Sequence, residues 1–425
     1  MPTPDIEITS RLYAVAMDEG DHLAHYRDEF QITDPTKCYL DGNSLGRLPK
    51  RTIETVNNYL LNEWGERMVD GWSSWIDEAQ STGDLIGCAA LGAHAGQVLA
   101  VDTTSVNFYQ LCNAAIKARP GRRTIISDES NFPTDRYILE GICSQLDLEL
   151  VLIPDDHGDE CVSAAMLEPY LSDDVAFVTL SVIQYRSGAL HDVAAITALA
   201  HGVGALVLWD ASHAIGVVPM EFDRDLVDLA VGCTYKYGNS GPGAPAWLYV
   251  REELQQALSV PIQGWFAQDD QFAMAQGFDR ASGIRGFQIA SPSIIGLRCV
   301  QTAFEMISEA GLPAIAEKAA KGTELMIGLH DAWLARLGFS VVTPRDATRR
   351  GGHITIRHPD ARRTSEALRR FANVVADYRR PDCLRLAMSP LTTSYVEIWE
   401  GFNRLRELIV TRSFEQIGEP TSRVT

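Results

Sequence analysis

Between about residue 95 and residue 250, short apolar, β-branched runs alternate with amphipathic stretches, the pattern of βα units wound around a parallel sheet. The runs predict strands over Thr124–Ser127, Leu148–Ile153, Val175–Val182, Ala205–Trp209, Leu229–Gly232 and Pro245–Val250. Several are apolar on both faces, as central strands covered by helices must be. Helices are predicted over Ser105–Ala118, Pro133–Gln145 and Ala194–Val203; Thr103 or Thr104 would cap the first, and Pro133 would open the second. After Pro292 the texture changes to long Ala/Leu/Glu/Arg-rich segments, Ile294–Ala310 and Leu312–Leu337, and then to short strands, Ser340–Thr343 and His353–Arg357. The first fifty residues hold an amphipathic stretch and the turn Asp41-Gly42-Asn43-Ser44, without a complete core of their own. The pattern therefore predicts an α/β protein in three parts. A segment 1–50 packs on the carboxyl-terminal unit, a large domain 51–292 carries the mostly parallel sheet, and a smaller α+β domain spans 293–425.

Composition narrows the function classes. The 425 residues carry a formal charge of -19 with no long charged block, which disfavours nucleic acid and anionic membrane as partners, because both reward clustered Lys and Arg. A small molecule is the expected ligand. Eight cysteines lie scattered in apolar contexts with no CxxC pair, as expected for buried free thiols in a reducing compartment, hence the cytoplasm, and no metal site is expected. Met1–Ser10 has no basic region followed by an apolar core, and no later run reaches the roughly 18 apolar residues of a membrane span.

Lysine is scarce, and Lys236 is the unusual one: it follows an apolar strand inside the glycine-rich turn Gly232–Gly243, where backbone can pass close to a ligand. By itself such a lysine is either a surface turn residue or an active-site amine. Asp210 ends the preceding strand, and a carboxylate there points into the crevice where α/β sheets bind ligands, unless it merely caps a helix. Pyridoxal phosphate (PLP) needs an acid to keep its pyridine nitrogen protonated and a lysine to form a Schiff base. Asp210 and Lys236 fit those needs together. A phosphate site is offered by Asp102-Thr103-Thr104-Ser105, hydroxyls and free N–H groups at a helix start. Phe132, in Ser130–Asp135, is either a ring to stack on a flat cofactor or a core residue.

Several motifs occur in the order and at about the spacing of the kynureninase family, which the chain resembles. They are Tyr39–Gly46, Ser130–Asp135, Trp209-Asp210 with His213, Thr234–Tyr237 with Gly241-Pro242-Gly243, Gly264-Trp265-Phe266, Arg379–Pro381 and Leu384-Arg385-Leu386. The resemblance runs from near residue 35 to near residue 400. It implies the PLP fold type I architecture of the aspartate aminotransferase superfamily, in a homodimer with shared active sites. It also implies that Thr104 and Ser105 hold the phosphate, that Phe132 stacks on the ring with Asp135 in support, and that Asp210 and His213 lie at the pyridine side. Tyr235 would bond the phosphate and assist proton transfer, Lys236 would carry the cofactor, and Arg385 would clamp the substrate α-carboxylate as a fork. Trp265 and Ser291 resemble residues that reach the phosphate from the partner subunit. Trp72 and Ser291 match positions at the aryl end of the substrate pocket, and Ser44 and Gln268 are further substrate positions. Arg385, in an alternating apolar stretch, is expected to point into a cleft and meet an anion there.

The chain departs from the family at Ala267-Gln268, Ile183-Gln184, Ala211-Ser212 and Gly238. A glutamine cannot titrate where a histidine could, so the exchange at Gln268 changes more than shape. Two enzymatic readings follow. One is hydrolytic Cβ–Cγ cleavage of L-kynurenine to anthranilate and L-alanine. The alternative, suggested by Gln184, Gly238 and Gln268, is a homologue of specialised metabolism, as in lincosamide antibiotic biosynthesis. It would catalyse β-elimination or decarboxylation-coupled oxidative deamination of an S-substituted cysteine. A non-catalytic scaffold would have no need of Lys236, Asp210 and Arg385 together.

Overall fold

The computed structural model describes residues 6–155 and 161–418. The outermost ends of the expected segments, 1–5 and 419–425, lie outside the described residues. A seven-stranded sheet runs in the order Val98–Ala100, Trp247–Val250, Leu229–Gly232, Leu206–Asp210, Val175–Ser181, Thr124–Asp128, Glu149–Ile153. Only Trp247–Val250 runs against both of its neighbours; the strands from Leu229–Gly232 to Glu149–Ile153 pair in parallel. Every residue of Val175–Ser181 and Leu206–Asp210 is buried, which explains why these strands read as unbroken apolar runs. The edge strand Glu149–Ile153 is buried only at Ile153. The fold is α/β with a mostly parallel sheet, as the sequence pattern predicts. The strand Val98–Ala100 was not foreseen; three residues after a glycine-containing turn carry too little periodicity to register.

The smaller sheet is antiparallel, in the order Asp377–Arg379, Cys383–Ala387, His353–Arg357, Ser340–Val341. The segment predicted as one helix over Leu312–Leu337 is regular only to Leu329, then widens through a π turn and tightens at Ala335–Leu337. Buried apolar side chains form two clusters. The larger, around the seven-stranded sheet, includes Leu297, Val300 and Phe304 of helix Ile294–Ala310 and also Leu23, Tyr26 and Phe30. The second, around the small sheet, takes in Ala14, Cys38 and Leu40, and Cys38–Tyr39 pairs in parallel with Val374–Val375. The amino-terminal segment thus touches both cores.

Among the described residues no helix is long and apolar enough to cross a membrane, and no cluster of His, Cys, Asp and Glu could hold a metal ion. None of the eight cysteines is in a disulfide, but burial is not uniform: Cys88 is exposed on the helical turn Gly87–Leu91 and Cys161 and Cys299 are half-buried. The carboxyl ends of the central strands, at Ser181 and Asp210, open toward the small sheet, and a cavity of ≈ 320 Å³ lies between them.

Candidate active site

Three chain segments build the large-sheet wall of this cavity. Helix Thr104–Lys117 presents its start: Thr103 caps it by accepting from the Val106 N–H at 3.3 Å, leaving Thr104 and Ser105 to line the cavity. Asp102, with φ of 50°, turns the chain from strand into helix. The first amides of a helix have no intrahelical acceptor, so this end is suited to an anion. In the second segment, Asn131 fixes the turn before helix Pro133–Leu146. Its Oδ1 accepts from the Ser181 hydroxyl (2.9 Å) and the Phe132 N–H (2.8 Å), and its Nδ2 donates to Ser127 Oγ (3.0 Å). This buried network, which sequence reasoning missed, sets Phe132 and Asp135 at the cavity. The Tyr185 ring meets Phe132 edge-on, with centroids 5.3 Å apart.

The third segment carries Lys236. Its turn is pinned by Thr234 Oγ1 donating to the Pro245 carbonyl (2.7 Å) and by the Asn239 N–H on the Lys236 carbonyl (3.0 Å). Gly46 packs against it so closely that a Cβ would lie 2.4 Å from the Lys236 carbonyl oxygen, and its N–H donates to Tyr235 O at 2.8 Å. The Tyr39–Gly46 motif is therefore a support for the lysine turn. Lys236 Nζ lies 5.9 Å from the centre of the Phe132 ring. Burial lowers the Lys236 pKa, which favours the neutral amine. His213 falls well below the usual histidine range, chiefly through burial and then through Lys236, and is a neutral imidazole. Asp135 is pushed well above the carboxylate range by burial and by the adjacent Asp210, so it holds its proton. The Tyr235 phenol is raised, first by Cys233 and then by burial, and stays protonated. Asp210 accepts from the Ser212 N–H at 2.8 Å.

A flat, phosphorylated pyridine fits this wall. Asp135 Oδ2 and His213 Nδ1 are buried without a protein partner, the helix start is free to take a phosphate, and Phe132 lies beside the lysine amine. The facing wall comes from the small sheet. Arg385 is 1% exposed and donates to the Tyr185 carbonyl and the Asp377 carboxylate, and to Ser44 Oγ at 3.1 Å. It faces the cavity as expected, but with a counter-ion in place, because an unpaired guanidinium at this depth would be costly.

Comparisons with known proteins agree with this geometry. Residues 315–405 match the family model described as the kynureninase C-terminal domain. Kynureninase of Pseudomonas fluorescens is 33% identical over 415 residues, covering 96% of this chain and 98% of its own. That of Burkholderia pseudomallei (strain 1106a) is 34% identical over 413 residues, covering 95% and 97%. The chain belongs to the kynureninase family. Its fold also matches the cysteine desulfurase of Thermococcus onnurineus NA1, with a TM-score of 0.79 at 17% identity over 91% of this chain and 98% of that one. As a member of the kynureninase family it is a PLP-dependent enzyme, with the type I fold of such enzymes.

The remaining positions carried over from the kynureninases lie elsewhere. Trp72 and Ser291 line a separate, open hollow of ≈ 500 Å³, and Trp72 lies 6.0 Å from Phe266. Trp265 is 46% exposed. Gln268 is taken up locally, accepting from the Asp279 N–H at 2.8 Å. Two of the departures from the family do not line the cavity at all. Gln184 is fully buried and donates to Asp128 at 2.9 Å, and a Cβ on Gly238 would lie 2.3 Å from the Thr234 carbonyl oxygen. They belong to the packing behind the site and not to its lining. Arg379, Tyr185, Asn43 and Thr134 also line the cavity; all but Tyr185 lie within the motifs quoted above, but none had been given a role.

Proposed function

We propose that the protein hydrolyses the Cβ–Cγ bond of L-kynurenine, adding one water to give anthranilate and L-alanine. The observation that carries this reading is the facing arrangement, across one cavity, of Lys236 with Asp210 and His213 on one wall and Arg385 on the other. Thr104 and Ser105 would hold the cofactor phosphate, Phe132 would cover the ring, and Asp210, backed by protonated Asp135 and flanked by His213, would meet the pyridine nitrogen. Bound there, PLP supplies the electron sink that stabilises negative charge on substrate carbons.

Lys236 would attach the cofactor, and burial, which lowers its pKa, favours the neutral amine that can take a proton from the substrate Cα. Tyr235, kept protonated, donates a hydrogen bond and can hand on a proton. Arg385, held by Ser44 Oγ at 3.1 Å, would receive the α-carboxylate, which sets the Cα–H toward Lys236. The burial of the cavity walls strengthens each of these charges by excluding water.

Trp72, Ser291, Trp265 and Gln268 would join the site in a homodimer, each copy completing the other's pocket. Support comes from the exposed apolar side chains around them: Phe272 is 63% exposed, Met274 71% and Met68 66%. A cytoplasmic location is supported by eight cysteines held outside disulfides. Incubation of the PLP-loaded protein with L-kynurenine, alongside a panel of S-substituted cysteines, tests the reading. Anthranilate and alanine identified by mass are the expected products. Pyruvate released from a cysteine conjugate with no anthranilate from kynurenine would replace it.

A further inference from the structure

The small-sheet wall holds a second arginine. Asp377 and Arg379 stand two residues apart on one strand, and therefore on one face, while Asp377 is the direct cross-strand neighbour of Arg385. The fully buried Asp377 carboxylate accepts through one oxygen, Oδ2, from both guanidinium groups: from Arg385 Nη2, and from Arg379 Nε at 3.0 Å and Nη2 at 2.9 Å. Ser44 Oγ adds a contact to the same oxygen at 3.2 Å.

An arginine has five N–H donors, two of them on each Nη. Arg385 Nη2 spends both on Asp377 and Ser44, and Nη1 spends one on Tyr185. Its Nε is buried without a partner. A two-pronged fork from Arg385 alone is therefore not on offer. Arg379 commits Nε and Nη2 to Asp377, and its Nη1 makes no hydrogen bond among the described residues. Its side chain is 32% exposed. Arg379 lines the main cavity and also an adjoining hollow of ≈ 520 Å³ that carries Lys37 and Arg369. Arg379 thus lines both spaces, whereas Arg385 lines only the main cavity.

We propose that the carboxylate seat is composite: one Nη1 from Arg385 and one from Arg379 bind the substrate's α-carboxylate, and Asp377 is the positioning residue that yokes the two guanidinium groups. The proposal rests on the amino-acid reading of the site and adds a substrate-binding residue to it. Asp377 neutralises part of the paired positive charge, so the arginines can stand side by side. Because it engages one edge of each, it leaves the Nη1 edges for the ligand.

The PLP-loaded Arg379→Gln variant tests this with three ligands: L-kynurenine in turnover, L-alanine in a titration followed by the cofactor's absorbance, and the decarboxylated amine of kynurenine. KM for L-kynurenine and the Kd for L-alanine are each expected to rise about tenfold, the worth of a charge-assisted hydrogen bond, with kcat within about twofold and the amine unaffected. In an Asp377→Asn background, which keeps the shape and removes the charge, the same Arg379→Gln change should cost less than about threefold, because the yoke is already lost. Unchanged KM and Kd in Arg379→Gln, or an equal loss for the amine, would overturn the proposal. If the wild type ignores L-kynurenine while L-alanine binding still depends on Arg379, the kynurenine reading fails and the composite seat stands.

Discussion

The two walls of the cavity solve opposite electrostatic problems. On the large-sheet wall, polar groups are held apart from protein partners: Asp135 Oδ2 and His213 Nδ1 have none, and burial displaces Lys236, His213 and Asp135 toward their neutral forms. On the small-sheet wall, charge meets charge, with Arg379 and Arg385 sharing Asp377. Neutralised groups can exchange protons, whereas fixed ion pairs can only orient. The contrast teaches that chemistry and recognition are divided between the two sheets, and it predicts that variants of the first wall change kcat and variants of the second change KM.

The largest effect is expected for Lys236→Ala, which removes the only lysine lining the cavity among the described residues: turnover should fall by about 10³-fold or more, and borohydride should no longer fix the cofactor to the chain. A variant with wild-type rate would place the chemistry elsewhere. Asp210→Asn keeps the Ser212 contact but not the charge, so kcat should fall on the order of 10²-fold, with weaker cofactor retention on dialysis and KM little changed. If KM rises instead, the division between the walls is wrong. Arg385→Lys should raise KM for any amino-acid substrate by about tenfold and leave PLP binding intact, because an ammonium cannot contact Tyr185, Ser44, Asp377 and the ligand at once. Lower thermal stability with unchanged KM would make Arg385 a structural ion-pair member only.

The smallest effect concerns Asp41, behind the second wall, raised from 3.8 to about 6 by burial and by Asp377. A carboxyl raised on folding stabilises the folded state only while protonated. That contribution is complete below the unfolded value and is lost as pH climbs through about 6. Asp41→Asn should therefore gain stability over the wild type as pH rises from 4 to 7, by on the order of 1 kcal/mol, and stay level beyond. A difference in urea midpoint that does not grow with pH would show that folding does not raise the Asp41 pKa.

The cofactor wall was largely legible in the sequence and the recognition wall was not, for a physical reason. Asp210 and Lys236 follow apolar strands that identify themselves by composition, and a strand's end fixes where its last side chain points. Arg379 and Asp377 acquire their meaning only from register, since Asp377 stands opposite Arg385 across a hairpin. The signal was present in the alternation Asp377, Arg379 and then Leu384-Arg385-Leu386, but it needs the pairing to be read. Tyr185 and Asn131 escaped for a similar reason, because loops take their geometry from tertiary contacts. Gln184 misled in the other direction: as a departure from the family it suggested another substrate, and the structure turns it inward to Asp128.

Gly46 gives the two walls a mechanical connection. The short stretch that ends there is stitched to the small unit, where Leu40 N–H bonds the Val375 carbonyl (2.9 Å) and Ala387 N–H bonds the Leu40 carbonyl (2.8 Å). Six residues later it is stitched to the lysine turn, through Gly46 on Tyr235 and the Arg47 N–H on Asn239 Oδ1 at 3.1 Å. Residues 40–47 thus act as a tether too short to carry slack, so a tilt of the small sheet must pull on the turn that bears Lys236. A substrate that draws Arg385 inward would load the lysine turn through this tether, in parallel with a second link in which the Thr355 and Thr343 hydroxyls donate to the Arg186 and Ser187 carbonyls.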